Sequence, residues 1–422
     1  MDKTLQPVRG MNDVLAEQMP WWQFLEAEAR ALFAAYGYQE VRLPLLESTE
    51  LFKRSIGEFT DIVEKEMYTF TDRGGDSLTL RPEATAGLVR AAISNGLLHN
   101  QKHRLWTSGP MFRYERPQKG RFRQFHQIDI EAFGYDGPDI DAEMILMSAR
   151  LWGRLGIRRV KLQVNSLGTP ESRKDYRELL VRYFEQHRAV LDEDSLRRLG
   201  GNPLRILDSK NPAMQDMIAG APMITDHLDP ESKAHFDGLC AHLSACGIEF
   251  TVNPRLVRGL DYYTRTVFEW TTDALGSQDA VCSGGRYDRL IAQLGGEPTP
   301  AIGWALGEER IVGLLQDAGV AVPSGAPGVF LVLAGEPAMR VGLKLAEDLR
   351  EALPGIGVQA NLGGGGIKAQ MKRADKSGAA IAVIVGDAEV ERGTAAIKSL
   401  RAEAPQQECS WAELPARIRA LT

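Results

Sequence analysis

The sequence predicts an α+β fold: a body built on an antiparallel sheet, a helical insertion within it, and a small C-terminal α/β domain. Three observations carry this. The runs RLWTSGPMFRYER and RQFHQIDIEAFGY alternate apolar and polar residues on either side of the polar segment PQKGRF, the period-2 signature of half-buried antiparallel strands. Residues 170–250 are charged, helical in periodicity and broken by Gly-Asn-Pro and Asn-Pro. Beyond AGVAVPSGAPG at 318–328, which has the Pro, Gly and Ser content of a linker, strand and helix patterns alternate. At 422 residues the chain exceeds one ordinary core, so a domain over 1–325, with its insertion at about 170–250, and another over 326–422 are expected.

Taken in order, WWQFLEAEARALFAAYGY places Trp22, Leu25, Ala29, Leu32, Phe33 and Tyr36 near helical spacing, and Gly37 stops the run. A strand follows over Tyr38–Arg42, ended by Pro44. MYTFTD and DSLTLRPE read as a hairpin turning at Gly74 and Gly75. ATAGLVRAAISNGLL is helical by composition, as is the stretch from Asp139 to Leu155, and VKLQVNSLG is a strand. RLVRGLDYYTRTVFEWTT is again strand-like, followed by a Gly-rich turn, GGRYDRLIAQL, and AIGWALGEERIVGLL, a strand running into a helix. In the tail, strands at 329–334, 358–362, 381–385 and 394–400, helices at 337–352 and 367–377, and a last helix from Trp411 suggest a small, mostly parallel α/β domain.

Composition narrows the function. With 44% hydrophobic and 25% charged residues, no early apolar segment and no run of membrane-spanning length, a cytoplasmic protein with no membrane partner is expected. Four cysteines do not make a disulfide framework. Cys240 and Cys246 stand beside His235 and His242, but their spacing fits no zinc pattern, and the segment reads as a helix leading into the strand EFTVNP. The net charge of −6 does not announce a nucleic-acid binder. Charge is local, however: residues 326–422 hold 12 Lys+Arg against 11 Asp+Glu, so the tail is +1 and the body −7. Within the body, Arg113, Arg116, Lys119, Arg121 and Arg123 face only Glu115 across eleven residues, a basic loop able to receive polyphosphate.

That loop joins the two alternating runs. With period 2, Arg113 and Glu115 share one face of the first strand, and Gln127, Asp129 and Glu131 share one face of the second. A salt-bridged solvated hairpin would show the same alternation. The loop ERPQKGRFR argues for more, because it keeps four cations in a segment too short to bury them.

Residues 112–133 resemble the strand-loop-strand motif of the class II aminoacyl-tRNA synthetases, in which FRxE, a loop and an R…F…E pattern follow one another. GYQEVRLP at 37–44 is similar to the first class II motif, a Gly, a hydrophobic strand and a Pro that build a dimer interface. AIGWALGEER at 301–310, with Gly303, Gly307 and Arg310, is similar to the third. RGLDYYTRTVFEW at 258–270, LRPEATAGLVR at 80–90 and CSGGRYDRLI at 282–291 resemble blocks of one branch, the histidyl-tRNA synthetases. The resemblance implies a catalytic domain with an antiparallel sheet of the class II synthetase type and a C-terminal anticodon-binding α/β domain. It implies ATP and Mg²⁺ as the nucleotide substrate, L-histidine and tRNA(His) as the other substrates, no dedicated protein site for a metal, and a homodimer.

Carried over residue by residue, Arg113 and Arg258 are the catalytic cations flanking the α-phosphate. Glu83, Thr85 and Gln127 grip the α-amino group, Tyr262 lines the pocket, and Glu131 and Tyr263 read the two imidazole nitrogens. Arg121 and Arg310 hold the outer phosphates, Phe125 stacks on adenine, and Arg116 and Gln118 approach the acceptor stem. The chemistry suits the assignment. Imidazole has two distinguishable nitrogens, and a buried carboxylate and hydroxyl that pair with both reject a near-isostere by roughly 10⁴. Outside the motif context each residue has a plainer reading. Glu83 after Pro82 is a helix N-terminal acid, Arg258 a strand salt bridge, and Tyr262 with Tyr263 a core and surface pair. A rival function is a histidyl-synthetase-like regulatory subunit of ATP phosphoribosyltransferase, which binds histidine as a signal. GGGG at 363–366 lacks the GKS or GKT ending of a phosphate cradle, and Lys368, Lys372, Arg373 and Lys376 on the next helix are either a solvated face or a tRNA contact.

Overall fold

The computed structural model describes residues 5–57, 60–275 and 280–421 and divides into two compact units, Met1–Val322 and Pro323–Thr422. The first unit starts with α1 (Met19–Ala35), then β1 (Gln39–Glu40), β2 (Leu46–Ser48), α2 (Thr49–Ile56), β3 (Tyr68–Thr71), β4 (Ser77–Leu80) and α3 (Thr85–Ser94). β5 (His103–Phe112), β6 (Gln124–Phe133), α4 (Pro138–Leu155) and β7 (Lys161–Ser166) follow, then α5 (Pro170–Gln186), α6 (Glu193–Gly200), α7 (Gln215–Ala219) and α8 (Pro230–Ala245). β8 (Phe250–Val252), β9 (Thr264–Thr271), β10 (Ala280–Arg286), α9 (Leu290–Gln293), β11 (Ala301–Gly307) and α10 (Glu308–Asp317) complete it.

Eight of these strands form one sheet in the order β1-β5-β6-β11-β10-β9-β7-β8. Every inner pairing is antiparallel, and a parallel strand closes each edge. β2, β4 and β3 make a small antiparallel sheet that contains the expected hairpin. Period 2 in β6 sorts the side chains: Ile128, Ile130 and Ala132 enter a core with Leu25, Phe33, Met144, Leu151, Leu239 and Ile311. α1, α4, α8 and α10 therefore cover that face, while Gln127, Asp129 and Glu131 point to the other. α8 falls within the predicted insertion range but packs on α4 in this main core, whereas α5 to α7 share a second core with Leu88, Val89, Tyr263 and Tyr287. The Cys240 segment is the expected helix, and its His235 ring lies 2.7 Å from Asp141 Oδ2. The Gly-rich turn after β9 falls on residues 276–279, outside the described residues.

One local expectation fails. β5 stops at Phe112, so Arg113 and Glu115 lie in the loop rather than on one strand face. Arg113 N–H still donates to Arg123 O at 2.9 Å, but Tyr114 N–H turns to Glu66 O at 2.7 Å, which takes the chain out of the ladder.

The second unit contains β12 (Val329–Leu333), α11 (Glu336–Ala352), β13 (Val358–Ala360), α12 (Ile367–Lys376), β14 (Ile381–Val385), α13 (Asp387–Arg392), β15 (Thr394–Ser399), β16 (Gln407–Ser410) and α14 (Leu414–Leu421). Its sheet runs β13-β12-β14-β15-β16 and is mixed rather than mostly parallel: β13, β12 and β14 are parallel, β15 and β16 antiparallel. Eight residues separate β14 from β15, fewer than the dozen or so a parallel crossover needs. The carbonyls of the GGGG turn are held by the chain's own side chains, Gly364 O by Arg373 Nη1 at 2.8 Å and Gly365 O by Gln370 Nε2 at 2.6 Å. No described helix of either unit is long and apolar enough to cross a membrane.

Candidate active site

The open face of β6 floors a cleft of about 980 Å³ in the first unit. Glu83, Thr85, Arg113, Arg121, Phe125, Gln127, Arg258, Tyr262, Tyr263 and Arg310 all line it, brought together from segments spread over more than two hundred residues. Arg116 and Gln118 stand outside it. Gln118 closes a tight turn with Arg121, the two exchanging backbone hydrogen bonds of 3.0 and 2.9 Å. Glu131 does not reach the cleft wall: it is 1% exposed, directly behind Thr85 and Tyr287.

At the carboxylate end, Glu83 follows Pro82 and caps α3, accepting from Thr85 N–H at 2.8 Å and Ala86 N–H at 2.9 Å. The plain capping reading of Glu83 is thus realised, and the carboxylate still lines the cleft with lone pairs to spare. Thr85 Oγ1 donates to Glu131 Oε1 at 2.7 Å, and the Tyr287 hydroxyl donates to Glu131 Oε2. Gly303 faces Glu131 across the β6–β11 ladder and leaves room for that carboxylate. Tyr262 and Tyr263 are both buried, with ring centroids 4.7 Å apart.

At the other end four arginines converge, each held before any ligand arrives. Arg113 donates from Nε to Pro82 O at 2.8 Å and lies 5.3 Å from the Phe125 ring centroid, so the ring predicted to stack on adenine carries a guanidinium over it. Arg121 pairs with Glu115 at 2.5 Å. Arg258 spans Glu269 Oε2 and Ser283 Oγ, 2.5 Å to each. Arg310 donates from Nε to Gly120 O at 3.0 Å and from Nη1 to Ala280 O at 2.6 Å, tying α10 to the tip of the basic loop and to β10.

The field of the site follows from burial. Burial pushes Glu83 up and Asp129 and Glu131 well above the usual carboxylate range. The Thr85 and Tyr287 hydroxyls oppose this at Glu131, and Arg81 and Arg113 oppose it at Asp129. Burial also lifts the Tyr263 hydroxyl to about 12, keeping it a neutral donor. Among the described residues no group of three or more His, Cys, Asp or Glu is disposed to hold a metal ion. The cleft offers carboxyl and hydroxyl partners at one end and fixed cations at the other, a geometry suited to a nitrogen-bearing substrate meeting a polyphosphate.

Several members escaped sequence reasoning. Tyr287 lies in a block, CSGGRYDRLI, whose chemistry the alternation of strands does not reveal, and its contact with Glu131 spans 156 residues. Glu269 and Ser283, the partners of Arg258, face each other across the β9–β10 ladder, a pairing that only the register exposes. His126, inside the strongest motif, receives Glu309 on both its N–H and its ring, within 2.9–3.0 Å, and thereby locks α10 against β6.

Sheet, cleft and basic loop have the arrangement of a class II aminoacyl-tRNA synthetase. Residues 10–311 match the family described as Histidyl-tRNA synthetase, and residues 328–421 the family described as Anticodon binding domain. The histidine–tRNA ligase of Halorhodospira halophila is 58% identical over 420 residues, covering 100% of this chain and 99% of its own. That of Hydrogenovibrio crunogenus is 55% identical over 414 residues, 98% of this chain and 97% of its own. The crystal structure of apo S. aureus histidyl-tRNA synthetase superposes with a TM-score of 0.82 at 36% identity, covering 99% of this chain and 100% of that one. The chain belongs to the histidyl-tRNA synthetase family.

Proposed function

We infer that this chain is a histidine–tRNA ligase, which activates L-histidine with ATP and transfers the histidyl group to the 3′ end of tRNA(His). The observation that carries this is the division of one cleft: carboxylates, hydroxyls and buried tyrosines gather at one end, and Arg113, Arg121, Arg258 and Arg310 at the other.

In this reading Glu83, Thr85 and Gln127 take the α-ammonium group. Gln127 Oε1 is buried with no hydrogen-bond partner among the described residues, which supports its place there. Tyr262 lines the pocket, Tyr263 reads one ring nitrogen directly, and Glu131 acts on the ring through Thr85 and Tyr287, which stand between it and the cleft. The histidine carboxylate oxygen attacks the α-phosphorus of ATP, and the bond to the β-phosphate breaks, releasing pyrophosphate. Arg113 and Arg258 stand on either side of that phosphorus as fixed charges that need no reorganisation, so catalysis is positioning plus electrostatics. Arg121 and Arg310 hold the outer phosphates, Phe125 supports adenine, and Mg²⁺ enters on the nucleotide as part of that substrate. The terminal ribose hydroxyl of the tRNA then attacks the adenylate carbonyl, with Arg116 and Gln118 at the acceptor stem and residues 326–422 on the anticodon. A cytoplasmic homodimer completes the reading. Its interface is the segment 37–44, after which Leu45 and Leu46 are exposed, as is Phe70 on the same small sheet.

The rival, a regulatory subunit that binds histidine as a signal, is less well supported. Residues 328–421 match an anticodon-binding domain, and all four arginines remain in the cleft. The test is ATP–pyrophosphate exchange with each proteinogenic amino acid, repeated with Arg258→Ala. Exchange is expected with histidine alone, and loss of one pre-placed charge is expected to slow it by roughly 10²–10³. Exchange absent with histidine, or equal with several amino acids, would overturn the assignment, and an undiminished variant would remove Arg258 from the catalytic set.

A further inference from the structure

β11 ends opposite Gln127, while β6 continues through His126, Phe125 and Gln124 toward the basic loop. The His126 N–H therefore meets no β11 carbonyl. Glu309, in the first turn of α10, takes that place: its two carboxylate oxygens accept from His126 N–H at 2.9 and 3.0 Å, and its Oε1 lies 3.0 Å from the ring Nδ1. Its neighbours in the same turn reach elsewhere. Buried Glu308 accepts from Ser108 Oγ of β5 at 2.8 Å, and Arg310 donates to Gly120 O in the basic loop at 3.0 Å and to Ala280 O of β10 at 2.6 Å. Period 2 puts the His126 ring on the helix-covered face of β6, edge-on to Trp22 of α1 at 5.1 Å, while Phe125 and Gln127 on either side line the cleft. Burial works against a charge on that ring, but Glu309, backed by Glu308 and Glu26, more than offsets it and raises the pKa above its ordinary value. That charge strengthens the hold of Glu309 on β6.

We propose that Glu309 and His126 are a positioning pair for the nucleotide: they fix Arg310 at a set distance from Phe125, so that the outer phosphates and the adenine of one ATP are gripped together. The inference rests on the reading that Arg310 and Phe125 hold those two parts of ATP. Ile311 and Leu315 keep α10 on the main core whatever its first turn does, so the helix survives loss of the pair. What is lost is its register along β6, and a shift of about 1 Å there carries the guanidinium out of step with the ring, a misplacement able to cost on the order of 10²-fold. Gln127 stays paired with Gly109 on one side and Gly307 on the other, so the histidine end of the cleft keeps its place.

Glu309→Gln tests this, since it keeps the shape of the side chain and removes its charge. In histidine-dependent pyrophosphate exchange the KM for ATP is expected to rise roughly tenfold, the difference between a charged and a neutral acceptor, while the KM for histidine stays within about twofold. Arg310→Ala supplies the second readout. Because the pair acts through Arg310, Glu309→Gln should have no further effect on the KM for ATP in the Arg310→Ala background. An unchanged KM for ATP, a parallel rise for histidine, or the same factor lost in both backgrounds would overturn the proposal. Should Glu309→Gln fail to accumulate as folded protein, His126→Phe removes the ring contact and keeps the packing on Trp22. It is expected to raise the KM for ATP alone by roughly threefold, and an unchanged value or a parallel rise for histidine would count against the proposal equally. Arg310→Ala with an unchanged KM for ATP would instead remove the reading of Arg310, and the proposal with it, so the two failures are distinguishable.

Discussion

Replacing Gly303 by alanine would strike the histidine pocket without deleting any charged or hydrogen-bonding side chain. A Cβ at this position would stand 1.4 Å from Glu131 Oε2, 2.3 Å from its Cδ and 2.7 Å from Ile130 O. The carbonyl belongs to the β6–β11 ladder and cannot withdraw, so the carboxylate must. Moving it costs the hydrogen bonds from Thr85 and Tyr287, each worth roughly 0.5–1.5 kcal/mol. The sum, about 1–3 kcal/mol, corresponds to roughly one to two orders of magnitude in kcat/KM for histidine. Overpacking should lower stability by a further ~1–3 kcal/mol, leaving a folded protein to assay. The measurement is pyrophosphate exchange over a histidine titration at saturating ATP. Gly307→Ala is the contrast on the same strand: the nearest atoms to its Cβ are carbons of the Arg310 side chain at 3.9 Å, an ordinary contact, so its loss should stay below about tenfold. A folded Gly303→Ala enzyme within about threefold of the parent would refute the claim that Glu131 is held by these contacts for histidine binding.

Other variants probe the buried charges and their protonation. Asp141→Ala leaves the fully buried Arg286 with Asp288 as its remaining carboxylate, and urea denaturation should show a loss of about 3 kcal/mol; a loss under about 1 kcal/mol would mean the Asp141–Arg286 pair is not structurally coupled. Burial pushes the Glu308 carboxyl, which accepts from Ser108 Oγ at 2.8 Å, up to about 7 from an ordinary 4.5. The native state then holds a proton that the unfolded chain has already released, so this group's contribution to stability falls as pH rises from about 4.5 to 7 and is level above. Glu308→Gln, neutral throughout, should flatten that part of the stability–pH curve by on the order of 3 kcal/mol, and a curve superposable on the parent's would contradict the assignment. Substitution of Arg258 by alanine, set out above, tests the electrostatic step itself.

How far the molecule could be read in its sequence depends on the range of the interaction. Period 2 located β5 and β6 because their side chains alternate between an apolar and a polar face, and in β6 that alternation separated Ile128 and Ile130 from Gln127, Asp129 and Glu131. Alternation could not say where β5 ends, since that is decided by a carbonyl elsewhere, Glu66 O, which captures the Tyr114 N–H. In the C-terminal unit the helix Asp387–Arg392 and the strand Gln407–Ser410 are too short to show a period, and without them the sheet reads as more parallel than it is. Cleft residues from Glu83 to Arg310 were legible only through motif resemblance. The chain positions that hold them, Tyr287 on Glu131 and Glu269 with Ser283 on Arg258, are long-range pairings that no local pattern encodes.

Everything above converges on one reaction, the making of histidyl-tRNA in this cleft. The most direct measurement is attachment of labelled histidine to unfractionated tRNA by the purified full-length chain with ATP and magnesium. ATP-dependent, acid-precipitable label is expected on tRNA(His) alone, displaced by unlabelled histidine and by no other amino acid. Histidine bound to the protein with no label transferred to tRNA would contradict it and favour the regulatory reading instead.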